Sequence, residues 1–392
     1  METKYTGNPI IARATAADPT IVQFGGRYYI YPTDGMMTEP GFGAWSSADL
    51  TDWSYEGPIL KFAHVSWAKK DAWAPDIVQR NGRYYFYFSA DSSIGVAVSD
   101  SPLGPFQDAL GRPLVEFEED MSSIDPCVFI DDDGETYLYW GATFSGQMFM
   151  RKLAPDMLSF QGEKYTVYDC FPDKDYHCEG SYVFKRNGLY YYLWSEYIWC
   201  DAPRLDKDQS YRVNYAVSKS PYGPFRRVPT RVPILSTDME LGYIGPGHNS
   251  VLHLPGTDAY FIVYHQHDGD AVRHRFANID ALHFGPDGVL YTVRMTRTGV
   301  PAAPIPVWIE AEENGPYPVG KPLRFRVHKG ADSGAFTSLR LLASGQPVAE
   351  GKGTEDALVW ETPQKGFYKV WAEVQTADGQ ILTSAPLNLD VE

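Results

Sequence analysis

One phrase, a short β-rich run followed by a turn and an aromatic run, recurs five times in the first three quarters of this chain. The copies are DPTIVQFGGRYYIYPT from Asp18, PDIVQRNGRYYFYFSA from Pro75, DPCVFIDDDGETYLYWGA from Asp125, EGSYVFKRNGLYYYLWSE from Glu179 and HNSVLHLPGTDAYFIVYHQ from His248. Each copy is typical of a β-hairpin, because a Gly- or Asp-containing turn separates two β-prone runs. The heads of the copies, at residues 18, 76, 125, 179 and 248, recur roughly every 50 residues. Strand repeats at this period predict an all-β fold, a β-propeller with one blade per copy and therefore five blades.

A second recurring phrase ends the third strand of four predicted blades. It reads AWSSADLTDW from Ala44, VAVSDSPLGPF from Val96, MRKLAPDMLSF from Met150 and YAVSKSPYGPF from Tyr215. The fifth segment, RFANIDALHFGPDGVL from Arg275, has the same form without the motif. We therefore expect four strands in every blade. The alternative, a β-sandwich with similar hairpins, rarely repeats at this period.

The length of 392 residues suggests two domains. The propeller is expected to span residues 1–300. A proline-rich linker, PAAPIPVW, begins the remainder at Pro301, and its prolines favour a stiff connection. Residues 301–392 alternate like the strands of a small immunoglobulin-like β-sandwich. We expect this second domain to have a structural or spacer role, because it offers few exposed aromatic residues for binding sugars.

Charge and composition exclude several classes of partner. The formal net charge is -16, with no basic stripe, which argues against nucleic acid and anionic membranes and favours a neutral substrate. No stretch is long and apolar enough to span a bilayer or to act as a signal peptide. The sequence as it stands predicts a cytoplasmic protein, or a secreted or periplasmic one if a signal was removed. Its four cysteines allow a Cys170–Cys178 bridge, but free thiols are favoured.

The heads of the five copies carry the residues best suited to chemistry. The innermost strand of each blade lines the central channel, so its first residues gather at one mouth of the ring. We therefore expect Asp18, Asp76, Asp125 and Glu179 to converge there with His248. Clustered carboxylates repel one another and raise some pKa values, and two of them facing a bond suit glycoside hydrolysis. The alternative is that these acids bond to backbone amides at blade junctions.

Over roughly residues 8–300 the chain resembles glycoside hydrolase family 43. The matching pieces are ADPTIV, WAPDIV, SIDPCVFIDDDGETYLYWG, CEGSYVFKRNGLYYYLWS and GPGHNSVLHLPGTDAYFIVYH, in that order. The C-terminal part is similar to bacterial Ig-like modules appended to carbohydrate-active enzymes. The residues alone do not rank the four acids, whereas the family pattern does.

The resemblance implies a role for each acid. Asp18 is the general base that activates a water, and Glu179 is the general acid, which needs a raised pKa. Asp125 raises that pKa and orients Glu179, while Asp76 is a structural anchor. The family inverts the anomeric centre, which implies a separation of about 6.5–9.5 Å between the carboxyl groups of the base and the acid.

Three further positions follow from the same resemblance. Trp73 is expected to stack on a sugar ring, with packing between blades as the alternative. Arg275 is expected to hydrogen-bond sugar hydroxyls, with Arg273 as the alternative if the alignment is shifted. His248 is expected to help hold a structural Ca²⁺ in the channel, although calcium prefers oxygen ligands.

Two features receive no role from the family. Glu196, at the end of the fourth hairpin, is an extra acid. The insertion IWCDAPRLDKDQSY, from Ile198 to Tyr211, is expected to overhang the site.

We expect an inverting, exo-acting glycosidase that releases terminal α-L-arabinofuranosyl residues from plant hemicellulose or pectin side chains. Release of β-D-xylosyl residues is the second expected activity, so arabinose- or xylose-containing saccharides are the expected partners. The alternatives are an endo-arabinanase, another family specificity such as galactanase, and a carbohydrate-binding propeller without catalysis. A protein-interaction propeller fits poorly with carboxylates at the channel mouth.

Overall fold

The structure is a computed structural model that describes residues 3–12, 15–118, 123–142, 147–169, 176–198, 211–228, 233–268, 271–331 and 333–392. These residues form β-strands and a single short 3-10 helix, Phe62–His64. No helix in the described ranges is long and apolar enough to span a membrane. The all-β prediction is confirmed.

The first 19 strands form five antiparallel sheets, each from consecutive strands. The first sheet contains β1 (Ala16–Phe24), β2 (Arg27–Asp34), β3 (Gly41–Ser47) and β4 (Ser54–Lys61), and the second contains β5 (Trp73–Arg80), β6 (Arg83–Ala90), β7 (Ser93–Ser99) and β8 (Gln107–Asp108). The third contains β9 (Cys127–Ile130), β10 (Thr136–Trp140), β11 (Gln147–Leu153) and β12 (Phe160–Asp169). The fourth contains β13 (Tyr176–Arg186), β14 (Leu189–Ile198), β15 (Arg212–Ser218) and β16 (Arg226–Arg227), and the fifth contains β17 (Ile244–His253), β18 (Tyr260–Asp268) and β19 (Ala271–Leu282).

Each sheet begins at a backbone kink, where one residue takes a left-handed conformation. The kinked residues are Asp18 (φ 50°), Ala74 (φ 40°), Asp125 (φ 59°), Gly180 (φ 66°) and His248 (φ 43°). Four of the five are not glycine, and such residues rarely adopt positive φ without a compensating role. In β1, β5, β13 and β17 the strand register shifts at the kink. The structurally equivalent heads are therefore residues 18, 74, 125, 180 and 248.

Hydrogen bonds between neighbouring sheets close the five sheets into a ring. In each sheet, the residue two positions after the kink bonds to the backbone of the next sheet. The five bonds are Thr20 Oγ1 to the Pro75 carbonyl (2.8 Å), the Val128 N–H to Asp76 Oδ2 (2.6 Å), the Val183 N–H to Cys127 Sγ (3.3 Å), Tyr182 Oη to the Val251 carbonyl (2.9 Å) and Ser250 Oγ to the Pro19 carbonyl (2.7 Å). Because the fifth bond returns to the first sheet, the fold is a five-bladed β-propeller, as predicted.

The fifth blade differs from the prediction of four strands. Its sheet has three strands in the described residues, and the N-terminal segment covers the outer edge of β19. The Ile10 N–H donates to the Ala277 carbonyl (2.8 Å), and the Asn8 side chain bonds to both the N–H and the carbonyl of Ile279 (2.9 Å each). The chain start thus completes the blade built from the last propeller residues.

The C-terminal region forms two sheets around one apolar core. One sheet contains β20 (Val307–Ala311), β21 (Leu323–Lys329) and β24 (Ala357–Trp360); the other contains β22 (Phe336–Ala343), β23 (Gln346–Lys352), β25 (Gly366–Thr376), β26 (Ile381–Thr383) and β27 (Leu387–Val391). Phe325, Leu341 and Val370 are fully buried between them. The region is therefore a β-sandwich. Its immunoglobulin-like character and the boundary at residue 300 stay predictions.

The sandwich packs on the propeller at the mouth opposite the kinks. Arg80 makes a two-pronged ion pair with Asp390 (2.6 and 2.5 Å), and both side chains are largely buried. Trp308 lies so close to Gly26 that a Cβ there would come within 2.9 Å of its ring. A cavity of about 540 Å³ remains between the propeller and the sandwich, lined on the propeller side by the far ends of inner strands. None of the acids at the kinks lines it, so it is separate from the candidate active site.

Candidate active site

Asp18, at the kink of the first blade, is nearly fully buried and is held by partners from the first and fifth blades. Thr33 Oγ1 donates to Asp18 Oδ2 at 2.7 Å, and Arg275 Nη1 donates to Oδ1 at 2.9 Å. Nδ1 of His248 lies 3.3 Å from the same Oδ1. Nδ1 of His265 lies 3.1 Å from Oδ1 and accepts the Asp18 backbone N–H, also at 3.1 Å.

These contacts keep Asp18 ionised. Burial raises the pKa of Asp18, but the nearby charges, chiefly Arg275, outweigh burial and hold it well below its usual range. Burial and the Arg275 charge lower the pKa of His265 to about 3. A neutral His265 contributes no positive charge near neutral pH, so the lowered pKa of Asp18 comes mainly from Arg275, with His248 second. Asp18 is therefore available as a general base.

Glu179, the residue before the kink of the fourth blade, is held by two hydrogen-bonding groups. The Tyr211 hydroxyl donates to Glu179 Oε1 at 2.7 Å, and Nε2 of His177 lies 2.8 Å from Oε2. Burial raises the pKa of Glu179, but the hydrogen bond and charge of His177 and the bond from Tyr211 outweigh burial and lower it to about 2.

A second ring of hydrogen bonds connects each blade to the kink of the next. One residue of the second strand accepts the kinked N–H of the following blade: Thr33 from Ala74 (2.8 Å), Ser89 from Asp125 (2.9 Å), Ser195 from His248 (2.7 Å) and His265 from Asp18 (3.1 Å). The equivalent residue of the third blade is Gly141, which has no side chain. Asp125 Oδ2 accepts the Gly180 N–H instead, at 3.0 Å. Because Gly180 directly follows Glu179, this bond fixes the backbone that carries Glu179.

The pKa values of Asp125 and Glu179 are shifted in opposite directions. Burial raises the pKa of Asp125 to about 7; the His248 charge opposes this rise, and the charges of Glu179 and Asp18 add to it. The raised pKa is therefore that of Asp125, whereas the sequence-based expectation put it on Glu179. The physical reason is that Glu179 has two hydrogen-bonding partners, His177 and Tyr211, that stabilise its charged form.

Asp76 lies outside this group, so the expectation that all four acids converge is wrong. It lies two residues past its kink, and its carboxylate accepts the backbone N–H groups of Ile77 (2.9 Å) and Val128 (2.6 Å). Burial raises its pKa to about 7. Asp76 is a structural anchor between the second and third blades.

Glu196 is fully buried and also structural. Its carboxylate accepts hydrogen bonds from Trp194 Nε1 (2.9 Å), Arg212 Nε (2.9 Å) and Asn214 Nδ2 (2.6 Å). It therefore ties the ends of β14 and β15 together on the side of the sheet away from Ser195, because neighbouring strand residues face opposite sides.

The other predicted site residues are placed as follows. Trp73 directly precedes the kink at Ala74 and is 40% exposed; its stacking on a sugar and the alternative of packing between blades both stay predictions. Arg275 is paired with Asp18, and its bonding to sugar hydroxyls stays a prediction. The side chain of Arg273, residues Cys170 and Cys200, and residues 199–210 of the insertion lie outside the described part. Cys127 and Cys178 are buried.

His248, the predicted calcium ligand, lies beside two carboxylates of the candidate site. Nδ1 of His248 faces the carboxylates of Asp18 (3.3 Å) and Asp125 (4.0 Å). Across the described ranges, no group of three or more His, Cys, Asp or Glu side chains is arranged to hold a metal ion. Calcium stays a prediction, and no step below uses it.

Sequence reasoning missed His177, Tyr211, His265 and Thr33. A signal for two of them was present, because Thr33 and His265 occupy one position of the aromatic run, along with Ser89, Gly141 and Ser195. No comparable signal marks Tyr211, since it ends an insertion that has no counterpart in the other copies.

A five-bladed ring that brings an ionised carboxylate and two further carboxyl groups with oppositely shifted pKa values to one mouth is suited to glycoside hydrolysis. The sequence profile of glycosyl hydrolases family 43 matches residues 6–290. The chain belongs to this family.

Related proteins carry several named activities. The chain is 34% identical over 313 residues to a β-D-galactofuranosidase of Aspergillus niger, covering 75% of this chain and 86% of that protein. It is 31% identical over 277 residues to a xylosidase/arabinosidase of Humicola insolens, covering 55% and 80%. It is 26% identical over 324 residues to an extracellular endo-α-(1→5)-L-arabinanase of Thermotoga petrophila, covering 66% of each.

Solved structures agree with the fold. A thermostable family-43 glycoside hydrolase is 31% identical with a TM-score of 0.65, covering 76% of this chain and 98% of that one. An α-L-arabinofuranosidase from Clostridium thermocellum is 30% identical with a TM-score of 0.57, covering 74% and 98%.

Proposed function

We propose that this glycoside hydrolase is an inverting, exo-acting enzyme that releases terminal α-L-arabinofuranosyl residues, with β-D-xylosyl residues as a second substrate. The observation that carries the proposal is the opposite electrostatic tuning of two carboxyl sites at one mouth. The charges of Arg275 and His248 lower the pKa of Asp18, whereas burial raises the pKa of Asp125, which we propose shares one proton with Glu179, to about 7. Sites whose pKa values are pushed apart mark the base and the acid.

In the proposed mechanism, Asp18 accepts a proton from a water that attacks the anomeric carbon. The pair delivers its proton through Glu179 to the leaving glycosidic oxygen. Asp125 holds the backbone of Glu179 through the Gly180 N–H and keeps the proton in the pair until a substrate binds. Inversion requires room for the water, that is, carboxyl groups about 6.5–9.5 Å apart.

The choice of sugar is supported by the names of relatives. The Humicola insolens relative and the Clostridium thermocellum structure are named for arabinosidase or arabinofuranosidase activity, and the former also for xylosidase activity. Exo action rests on the expectation that the insertion from Ile198 to Tyr211 overhangs the site and closes it to a pocket. Release of oligosaccharides rather than arabinose early in the digestion of linear arabinan would overturn exo action and favour the endo-arabinanase alternative.

A second candidate is a β-D-galactofuranosidase, which the Aspergillus niger relative favours at 34% identity. A β-D-galactofuranoside has the ring configuration of an α-L-arabinofuranoside with a longer exocyclic chain. One pocket can therefore accept both if it leaves space beyond C4.

The test is a comparison of initial rates on the p-nitrophenyl glycosides of α-L-arabinofuranose, β-D-xylopyranose and β-D-galactofuranose. Glu179→Gln is the control, because it keeps the shape and hydrogen bonding of Glu179 but cannot deliver a proton. We expect the highest rate on the arabinofuranoside. On an unactivated disaccharide, Glu179→Gln should lose about 10²–10⁴-fold in rate. An unchanged rate would contradict the acid role, and no turnover by the wild type would favour a binding propeller.

A further inference from the structure

Two buried aromatic side chains lie between the predicted acid and base. The Tyr211 ring and the His265 ring are parallel within 6°, with centroids 5.7 Å apart, an offset stacked arrangement. The Tyr211 hydroxyl donates to Glu179 Oε1 at 2.7 Å. At the other end, His265 Nδ1 accepts the Asp18 N–H at 3.1 Å. A continuous chain of contacts thus runs from Glu179 through the two rings to Asp18.

Both rings are held firmly. A Cβ at Gly247 would come within 2.2 Å of Tyr211 Cε1, so the ring fills the space that a side chain would need. Arg212, the next residue, is anchored by the buried Glu196. His265 is 1% exposed. Aromatic side chains have only two rotatable bonds. A packed pair of rings therefore fixes the separation between the groups at its two ends better than long flexible side chains would.

The repeat indicates that His265 does more than accept a hydrogen bond. At this repeat position Thr33, Ser89 and Ser195 accept the equivalent N–H with a hydroxyl oxygen. A serine would therefore suffice to cap Asp18. The histidine of the fifth blade adds a ring, and that ring is the part that contacts Tyr211.

We infer that the Tyr211–His265 stack is a spacer that sets the distance between the general acid Glu179 and the general base Asp18, and with it the room for the attacking water. This inference rests on the proposed function. Tyr211 and His265 are positioning residues in this account, because they act through the two carboxylates. The separation matters because an inverting enzyme needs the carboxyl groups about 6.5–9.5 Å apart, and a shift of about 1 Å can cost 10²-fold in rate.

Two substitutions separate the parts of the spacer. Tyr211→Phe keeps the ring and removes the hydroxyl that holds Glu179. His265→Ser keeps an oxygen to cap Asp18, as Ser89 and Ser195 do, and removes the ring. Tyr139→Phe is the matched control, because Tyr139 is fully buried and donates to the Pro221 carbonyl away from the acids.

Rates are measured on an arabinofuranoside with an activated aryl leaving group and on an unactivated disaccharide. Tyr211→Phe should lose at least about tenfold more on the disaccharide than on the aryl substrate, because only the disaccharide depends strongly on the acid. His265→Ser should lose about 10²-fold on both, because the distance between base and acid changes. The double variant should lose little more than His265→Ser alone, since both substitutions break one spacer.

Equal losses for Tyr211→Phe on the two substrates, or activity of His265→Ser within threefold of the wild type, would overturn the inference while leaving the proposed function intact. Absence of activity in the wild type on every substrate would instead reject the proposed function. If His265→Ser does not fold, Gly247→Ala displaces the Tyr211 ring directly and should reproduce the larger loss on the disaccharide. A Gly247→Ala enzyme with wild-type rates would also refute the spacer.

Discussion

The proton held by the Asp125–Glu179 pair makes the pH profile of Asp125→Asn a sensitive test of the mechanism. In the wild type the pair keeps its proton until about pH 7, because burial raises the pKa of Asp125 to that value. We therefore expect the rate on an unactivated disaccharide to fall above about pH 7. In Asp125→Asn, Glu179 alone must carry the proton, and its pKa lies at about 2.

The magnitude follows from these values. Because the pKa of Glu179 is lowered to about 2, few Glu179 side chains are protonated near neutral pH, which removes most of a general-acid contribution of about 10²–10⁴-fold. The alkaline limb should therefore move to lower pH by several units. An activated aryl arabinofuranoside, which hardly needs the acid, is the control and should retain most of its rate. An alkaline limb that stays near pH 7 in the variant would refute the assignment of the shared proton.

Three other substitutions test separate parts of the structure. Asp18→Asn should lower rates at least about 100-fold on activated and unactivated substrates alike, because the attacking water needs a general base whatever the leaving group is. Retained activity on the aryl substrate would contradict the base role. Burial raises the pKa of Asp76 from 3.8 to about 7, so the folded protein binds this proton more tightly than the unfolded chain does. The resulting contribution to the free energy of unfolding is complete below about pH 4 and is lost by about pH 7, a change of about 4 kcal/mol. Asp76→Asn should therefore flatten the decline in melting temperature with rising pH, and an unchanged slope would disprove this. Asp390→Ala should lower the free energy of unfolding by about 3–5 kcal/mol, because it leaves the buried Arg80 without its carboxylate partner. The control Glu350→Ala breaks the exposed ion pair with Arg340 and should cost under about 1 kcal/mol.

The repeats were sufficient to predict the ring and to place Asp18, Asp125 and Glu179 near one mouth. They were not sufficient to align the five copies, because the kink is occupied by Asp, Ala, Asp, Gly and His in turn. No single residue type marks a left-handed kink, so Asp76 was aligned with Asp18 although Ala74 is its structural equivalent. The kink is defined by hydrogen bonds between blades, which a single copy does not reveal.

For a similar reason, the sequence did not predict how the fifth blade is completed. Asn8 and Ile10 complete the fifth blade by bonding to β19, more than 260 residues away in sequence. A short N-terminal segment carries no repeat phrase, so only the folded chain identifies it as the outer edge of that blade.

The electrostatics of the site depended on partners that the family pattern does not name. The pattern identified Glu179 as the acid and implied a raised pKa. His177 and Tyr211 reverse the direction, and Tyr211 reaches Glu179 from 32 positions further along the chain. The pKa of a buried group is set by such contacts, and a sequence motif around the group itself does not contain them.

The central claim, that Asp18 and the Asp125–Glu179 pair act from opposite sides of the bond, is tested most directly by the stereochemistry of the first product. Proton NMR during the first minutes of aryl α-L-arabinofuranoside hydrolysis distinguishes the anomers before they interconvert. The account predicts that β-L-arabinofuranose appears first, because water attacks opposite the leaving group. Initial appearance of the α-anomer would mean a covalent intermediate on one carboxylate and would contradict the roles assigned to Asp18 and Glu179.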